Sequence, residues 1–266
     1  VSVLDEIVAH KREELRGVRA LRPLAALQAE CRGRPPVRDL AAALRPAGPG
    51  RVRLVAEVKR ASPSRGVLNA GLDPAGQARA YAAGGAAALS VLTDARYFHG
   101  SLEDLVAVRA VVDLPVLRKE FIVEEYQLWE ARAAGADAVL LIAAALPPEA
   151  LRDLYHAAKG VGLGALVEAH TAAELDLALG LGAPVIGINN RDLRDLSVSL
   201  RPSLELLPRV PPGPVAVAES GIHTAADVRA VVAAGAHAVL VGEALVRAAD
   251  VGAKLRELML EGAPAA

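Results

Sequence analysis
The chain is poor in several residue types that would carry chemistry by themselves. Cys31 is the only cysteine among 266 residues, so no disulfide can close within the chain and no cysteine pair can exchange electrons; a reducing compartment fits, and the cytoplasm is the expected location. Formal net charge is −1, with acids and bases interleaved, so no long-range field draws the chain to nucleic acid or an acidic membrane. No apolar run approaches a membrane span. The opening VSVLDEIVAHKREEL carries charges from Asp5 onward, unlike a signal peptide. The six histidines show no metal-ligand spacing, so no metal is expected, and no strand–GxGxxG–helix fingerprint of an open doubly wound sheet occurs. Lysine is scarce too: Lys11, Lys59, Lys119, Lys159 and Lys254 are five of thirty basic residues. Two of them end apolar runs, where lysine, unlike arginine, can give up a proton at accessible pH.

What is present is repetition. Strand-like runs fall at about 52–58, 86–92, 115–119, 138–142, 163–168, 185–189, 215–219 and 238–242, separated by helical stretches of which several end in Gly-Ala. Strands that alternate with helices must pair in parallel, because the chain crosses back between them. Eight such units predict an α/β fold, a (βα)8 TIM barrel, over residues 51–266; an open doubly wound sheet is the competing architecture. Residues 1–50 read as an N-terminal helical extension, with one amphipathic helix over 1–17, a second over about 23–44, and a break at RPAGPG, residues 45–50. Extension and barrel together are expected to form one domain.

In such a barrel all strand carboxyl ends open on one face, so residues distant in sequence converge there. Glu57 and Lys59, two apart at the first strand end, project to the same side; a structural ion pair is the alternative. Lys119 ends the third run and can act as a general acid if a dry site lowers its pKa, or it is a solvated strand-end charge. Glu168, after the fifth run, is a candidate base, or a capping or salt-bridging glutamate. Asn189 and Arg191 follow the sixth run, one suited to a sugar-like hydroxyl and the other to a carboxylate; Asn190 is equally a turn residue. The segments AESGIHT and LVGEALV place Gly221 and Gly242 where helices start, which suits a phosphate, and Ser62 can add a hydroxyl to the same group. Phe98 and Phe121 are candidate walls for a planar substrate or plain core residues. Trp129 reads as core packing.

Taken in order, VLDEIVAHKREEL, AEVKRASPSRG, LSVLTDARYFHGS, PVLRKEFIVEEYQLWEARAAGADAVLLI, LVEAHT, IGINNRDL, VAESGI and LVGEALV resemble the indole-3-glycerol-phosphate synthase family across nearly the whole chain. The resemblance implies a cofactor-free (βα)8 lyase of tryptophan biosynthesis. It converts 1-(2-carboxyphenylamino)-1-deoxyribulose 5-phosphate, a small phosphorylated substrate, into indole-3-glycerol phosphate with loss of carbon dioxide and water. By that resemblance Lys119 is the general acid on the substrate carbonyl, Glu168 the base of the dehydration, and Lys59 a helper that also meets the carboxylate. Glu57 orients the lysines, Asn189 holds a hydroxyl, and Arg191 and Glu219 line the site. Ser62, Ser220, Gly221 and Gly242 fall where the family engages phosphate and ribulose, and Glu243 stands at the last phosphate position, where backbone amides can serve. Glu120 replaces a frequent aspartate. A monomer is expected. A phosphoribosyl-type isomerase on the same barrel needs a cysteine or aspartate at the first strand end, where this chain has Glu57 and Lys59. A silent phospholigand-binding barrel should have lost the ionisable strand-mouth groups, which are all here.

Overall fold
The computed structural model describes residues 2–46, 48 and 51–261. Its centre is a closed barrel of eight parallel strands: β1 (Arg53–Val58), β2 (Ala88–Leu92), β3 (Val116–Lys119), β4 (Ala138–Ile142), β5 (Gly164–Ala169), β6 (Val185–Asn189), β7 (Val215–Glu219) and β8 (Ala238–Val241). Each strand pairs with the next, and β1 closes the ring against β8 with Arg53 beside Ala238. The runs are almost continuously apolar because both faces are covered, by helices outside and by side chains inside.

Alternation along the strands separates two cores. Leu54, Ala56 and Val58 of β1 face outward with Leu89, Val91, Leu141, Val167, Ile186, Ala218 and Val239 against the helices. Val55 faces inward with Leu117, Leu140, Ile142, Leu166, Val217 and Leu240. Glu57, Lys119, Glu168, Asn189 and Glu219 have the inward parity and lie at the carboxyl ends of their strands, Lys59 following one residue beyond β1.

The extension contributes three helices: α1 (Val3–Leu21), α2 (Leu24–Cys31) and α3 (Leu40–Leu44). Ser2 and Asp5 form a capping box that starts α1. Leu4 and Ile7 of α1, and Leu40 and Leu44 of α3, join the inner cluster. The expectation of one helix over 23–44 is corrected: the chain leaves helical geometry at Arg32, Gly33 has φ 76°, and Pro35 and Pro36 supply no amide hydrogen to continue the ladder. Of the predicted break at 45–50, Ala47, Pro49 and Gly50 lie outside the described residues. The Gly-Ala breaks behave as expected, with φ 89°, 93°, 66° and 114° at Gly85, Gly135, Gly182 and Gly235. A short antiparallel pair, Ala61–Ser62 with Gly66–Val67, escaped the sequence reading; two-residue strands leave no periodicity. Among the described residues no helix is long and apolar enough to cross a membrane.

Candidate active site
Two ammonium groups and three carboxylates meet at the barrel mouth. Lys119 Nζ lies 2.6 Å from Glu219 Oε2 and 3.0 Å from Glu168 Oε2, and Lys59 Nζ lies 2.6 Å from Glu57 Oε1. Lys59, Lys119 and Glu168 line one and the same recess. Asn189 Oδ1 accepts from the Arg191 backbone N–H, 3.0 Å away. The three carboxylates are buried and both lysines nearly so.

Charge balance sets the protonation states. Burial opposes the charge on Lys119, but Glu168, Glu219 and Glu57 outweigh it and hold the ammonium well above the usual lysine range. The expectation of a lowered lysine pKa is therefore corrected: dryness alone acts downward, and the neighbouring carboxylates reverse it. Glu168 is likewise opposed by burial, yet Lys119, then His170, then the Asn189 amide keep it below the ordinary glutamate value. With Lys119 shared, Glu219 is the group left short of positive charge. Burial, with the Glu168 charge beside it, pushes its carboxyl up to about 7, and its buried Oε1 has no hydrogen-bond partner.

Two small residues make room for this cluster: Gly187, which sequence reasoning missed, and Gly242, which it assigned only to the phosphate. A Cβ on Gly187 of β6 would overlap the Glu219 carboxylate and lie 2.7 Å from Leu166 Cδ2, and one on Gly242 would overlap Glu57 Oε1 and reach 3.0 Å from Lys59 Nζ. The inward parity of Gly187 was the available signal.

Beside the cluster a cleft of about 350 Å³ is lined by Ser64, Arg65, Arg191, Ser220, Gly221, Gly242 and Glu243. Ser220 (φ 63°) and Gly221 (φ 73°) are both left-handed, a turn that presents successive backbone N–H groups. Glu243 begins the short helix Glu243–Val246, and its carboxylate pairs with Arg65 and Arg247, each at 3.4 Å. An anion in this cleft can use the Glu243 amide but not its side chain. Ser62 lies on the short antiparallel pair and lines the recess of about 100 Å³ that holds Lys59, Lys119 and Glu168, with Phe98 and Phe121, whose ring centroids are 6.2 Å apart. The turn beyond Ser62 delivers Ser64 and Arg65 to the 350 Å³ cleft, and Ser64 Oγ accepts from Arg191 Nη1 at 2.8 Å. A second serine two residues on in SPSRG was the sequence signal for it.

Behind the strand ends lie positioning contacts. Asn190, left open between turn and site, is a buried staple: its Nδ2 donates to the Ser220 carbonyl at 3.0 Å and its Oδ1 accepts from Ser203 N at 3.1 Å. The outward neighbours of Lys119 are tied as well. Arg118 donates to Gln127 O at 2.8 Å and to Thr93 Oγ1 at 3.1 Å. Thr93 Oγ1 in turn donates to Glu120 at 2.8 Å, and Lys11 of α1 reaches Asp94 at 2.9 Å, Glu14 at 2.8 Å and Glu120 at 3.3 Å. Lys11 is 2% exposed, so a lysine of the extension's first helix is one of the most buried cations in the molecule.

The closed barrel with acid–base side chains and a cleft at its carboxyl face defines a (βα)8-barrel enzyme, and comparison with known proteins makes this specific. The profile of the family "Indole-3-glycerol phosphate synthase" matches residues 4–258. Proteins of that name from Laribacter hongkongensis (50% identity; 96% of this chain and 98% of that one) and Chromobacterium violaceum (49%; 96% and 97%) are among its relatives. The chain belongs to the indole-3-glycerol phosphate synthase family, and is thus a carboxy-lyase. Solved structures sharing the fold include a thiamine phosphate pyrophosphorylase from Pyrococcus furiosus (TM-score 0.58, 20% identity, 83% of this chain and 96% of that one). The tryptophan synthase α2β2 complex of the same organism also contains such a fold (TM-score 0.57, 16% identity, 77% and 97%).

Proposed function
We propose that this chain closes the indole ring of 1-(2-carboxyphenylamino)-1-deoxyribulose 5-phosphate, with Lys119, Lys59 and Glu168 moving the protons and the Ser64/Arg65/Ser220–Gly221/Gly242–Glu243 cleft taking the phosphate. The observation that carries the reading is that Lys59, Lys119 and Glu168 line a single recess continuous in its lining with that cleft. The aromatic ring packs between Phe98 and Phe121, and its carboxylate meets Lys59 and the Ser62 hydroxyl. The ring carbon bearing the carboxylate attacks the ribulose carbonyl, and Lys119 protonates the oxygen as the carbon–carbon bond forms. The raised pKa of Lys119 suits this role: its charge stabilises the developing alkoxide, which is a stronger base than a lysine amine and takes the proton when it appears. Loss of carbon dioxide leaves the bonding pair in the ring and restores aromaticity. The hydroxyl then leaves as water with a proton from Lys59, and Glu168, ionised and opposite, removes the proton from the adjacent ring carbon. Glu57 orients Lys59 through their 2.6 Å contact, and Asn189 serves a ribulose hydroxyl. Glu219 holds Lys119, and Arg191 braces the loop that carries Ser64.

The test is to supply the carboxyphenylamino deoxyribulose phosphate and follow indole fluorescence. Lys119→Met should lower kcat by at least ~100-fold, the low end for a lost proton donor, while competition with inorganic phosphate stays nearly unchanged. Full turnover by Lys119→Met would refute its role as acid.

A further inference from the structure
His170, the second residue after Glu168, bridges the proposed base to a different cavity. Its Nε2 is buried without a hydrogen-bond partner and lies 3.4 Å from Glu168 Oε1. Its Nδ1 is 3.1 Å from Glu174 Oε2, on the helix Ala172–Gly180. Glu174 is itself fixed, accepting from the His170 backbone N–H at 2.8 Å and from Thr171 Oγ1 at 3.0 Å. Glu168 lines the substrate recess, whereas His170 and Glu174 line an adjoining cleft of about 830 Å³ between the start of α1 and the loop after β6, which meets the recess at Asn189, Arg191 and Leu193. The chain of groups is continuous: Glu174, His170, Glu168, then Lys119 at 3.0 Å from Glu168.

The reaction needs such a connection. A carboxylate leaves as carbon dioxide and a hydroxyl leaves as water, so the substrate trianion must gain one proton from outside for each dianionic product formed. In terms of groups, Lys119 and Lys59 each give a proton and Glu168 recovers one. Glu168 can return its proton to Lys119 directly; one further proton must enter. Reloading while substrate or product still occupies the recess calls for a route from its far side.

We propose that His170, held by Glu174, is the proton port of this enzyme, carrying one proton per turnover from the second cleft through Glu168 to Lys119, from which it crosses the recess that both lysines line to reload Lys59. His170 passes the proton on its Nε2 to Glu168, which relays it inward, and the imidazole recovers a proton from the cleft. The groups facing it favour this. Burial disfavours the imidazolium, but Glu174 and Glu168 outweigh it, helped by Glu219, so the ring holds its proton more tightly than a free histidine; Asp192 of the loop after β6 also feels its charge. Because His170 acts through Glu168 it is a positioning and relay residue, and the inference rests on the acid–base reading above.

The port is needed to reload the site, not for the first cycle, and this separates it from structural support of Glu168. In His170→Ala, single-turnover indole formation with enzyme in excess should persist, at a rate well above the steady-state kcat of the same variant. Steady-state kcat should fall at least ~10-fold with kcat/KM retained, since kcat/KM ends at the irreversible loss of carbon dioxide and reloading comes after it. A burst of product should precede the slow phase, and added imidazole should restore kcat. Glu174→Gln, run identically, gives the same burst if His170→Ala does not fold. An unchanged kcat, or single-turnover and steady-state rates that fall together, would overturn the port. Retained single-turnover activity in Glu168→Gln would overturn the underlying assignment of the base instead.

Discussion
At the scale of single residues, the site is governed by an excess of acid over base. Three buried carboxylates face two ammonium groups, and the cheapest relief is to leave one carboxyl neutral; Glu219, raised to about 7, is that group. Below this pH Glu219 is protonated. Above it, a further negative charge sits beside Lys119, ties its proton more firmly and repels the anionic substrate. We therefore expect kcat/KM of the wild type to decline as pH rises through about 7, and Glu219→Gln to lose that alkaline limb while Lys119 and Glu168 remain an ion pair throughout. Profiles of kcat/KM against pH for the two proteins check this; an identical limb in Glu219→Gln would assign it to another group. The candidate residues Lys59, Lys119, Glu168, Asn189 and Glu219 were all legible in sequence as polar residues ending apolar runs. Their protonation was not, because Glu219 lies 100 residues from Lys119 and only their 2.6 Å approach sets it.

Among the elements, α1 is the least expected participant. Periodicity predicts its apolar face, and Leu4 and Ile7 do enter the inner core. Lys11 is a different matter: it neutralises Asp94 and Glu120, one after β2 and the other after β3, and so ties the extension to the residue following Lys119. Removing a buried partner leaves the other charges uncompensated, so Lys11→Met should destabilise the protein by about 3 kcal/mol. Denaturant unfolding monitored by circular dichroism reads that loss, and a change within ~0.5 kcal/mol, typical of surface positions, would show that water compensates the carboxylates. The break between α2 and α3 teaches a related lesson. A window rich in alanine and leucine reads as one helix, but the tandem prolines after Gly33 end it locally, whatever the flanking propensity.

For the whole molecule, ring closure and the docking of the extension are one packing problem, since Leu40 and Leu44 of α3 bury into the same interior cluster as the strands. Trp129 sits at the seam, partly buried against the group formed by Leu15 of α1, Leu27 of α2, Tyr126 and Ala133. We propose that residues 1–50 and the barrel unfold as one domain. Thermal melts followed by Trp129 fluorescence, which reports the seam, and by far-ultraviolet circular dichroism, which reports the barrel, should then share one midpoint. Two separated transitions would make the extension an independent unit.

The linear chain by itself determined the eight strands, the helices between them and the polar residues that end the strands, because periodicity and the covalent order of apolar runs are local properties. Tertiary structure alone decided what those residues do to one another. Closing the sheet converts strand parity into a shared interior, so that Gly187 matters for Glu219, Lys11 for Glu120 and His170 for Glu168. It also brings Ser64 and Arg65 to the cleft beside Ser220 and Gly221. Coulomb interaction and burial act through space, and spatial neighbours across a barrel carry no mark in the sequence between them.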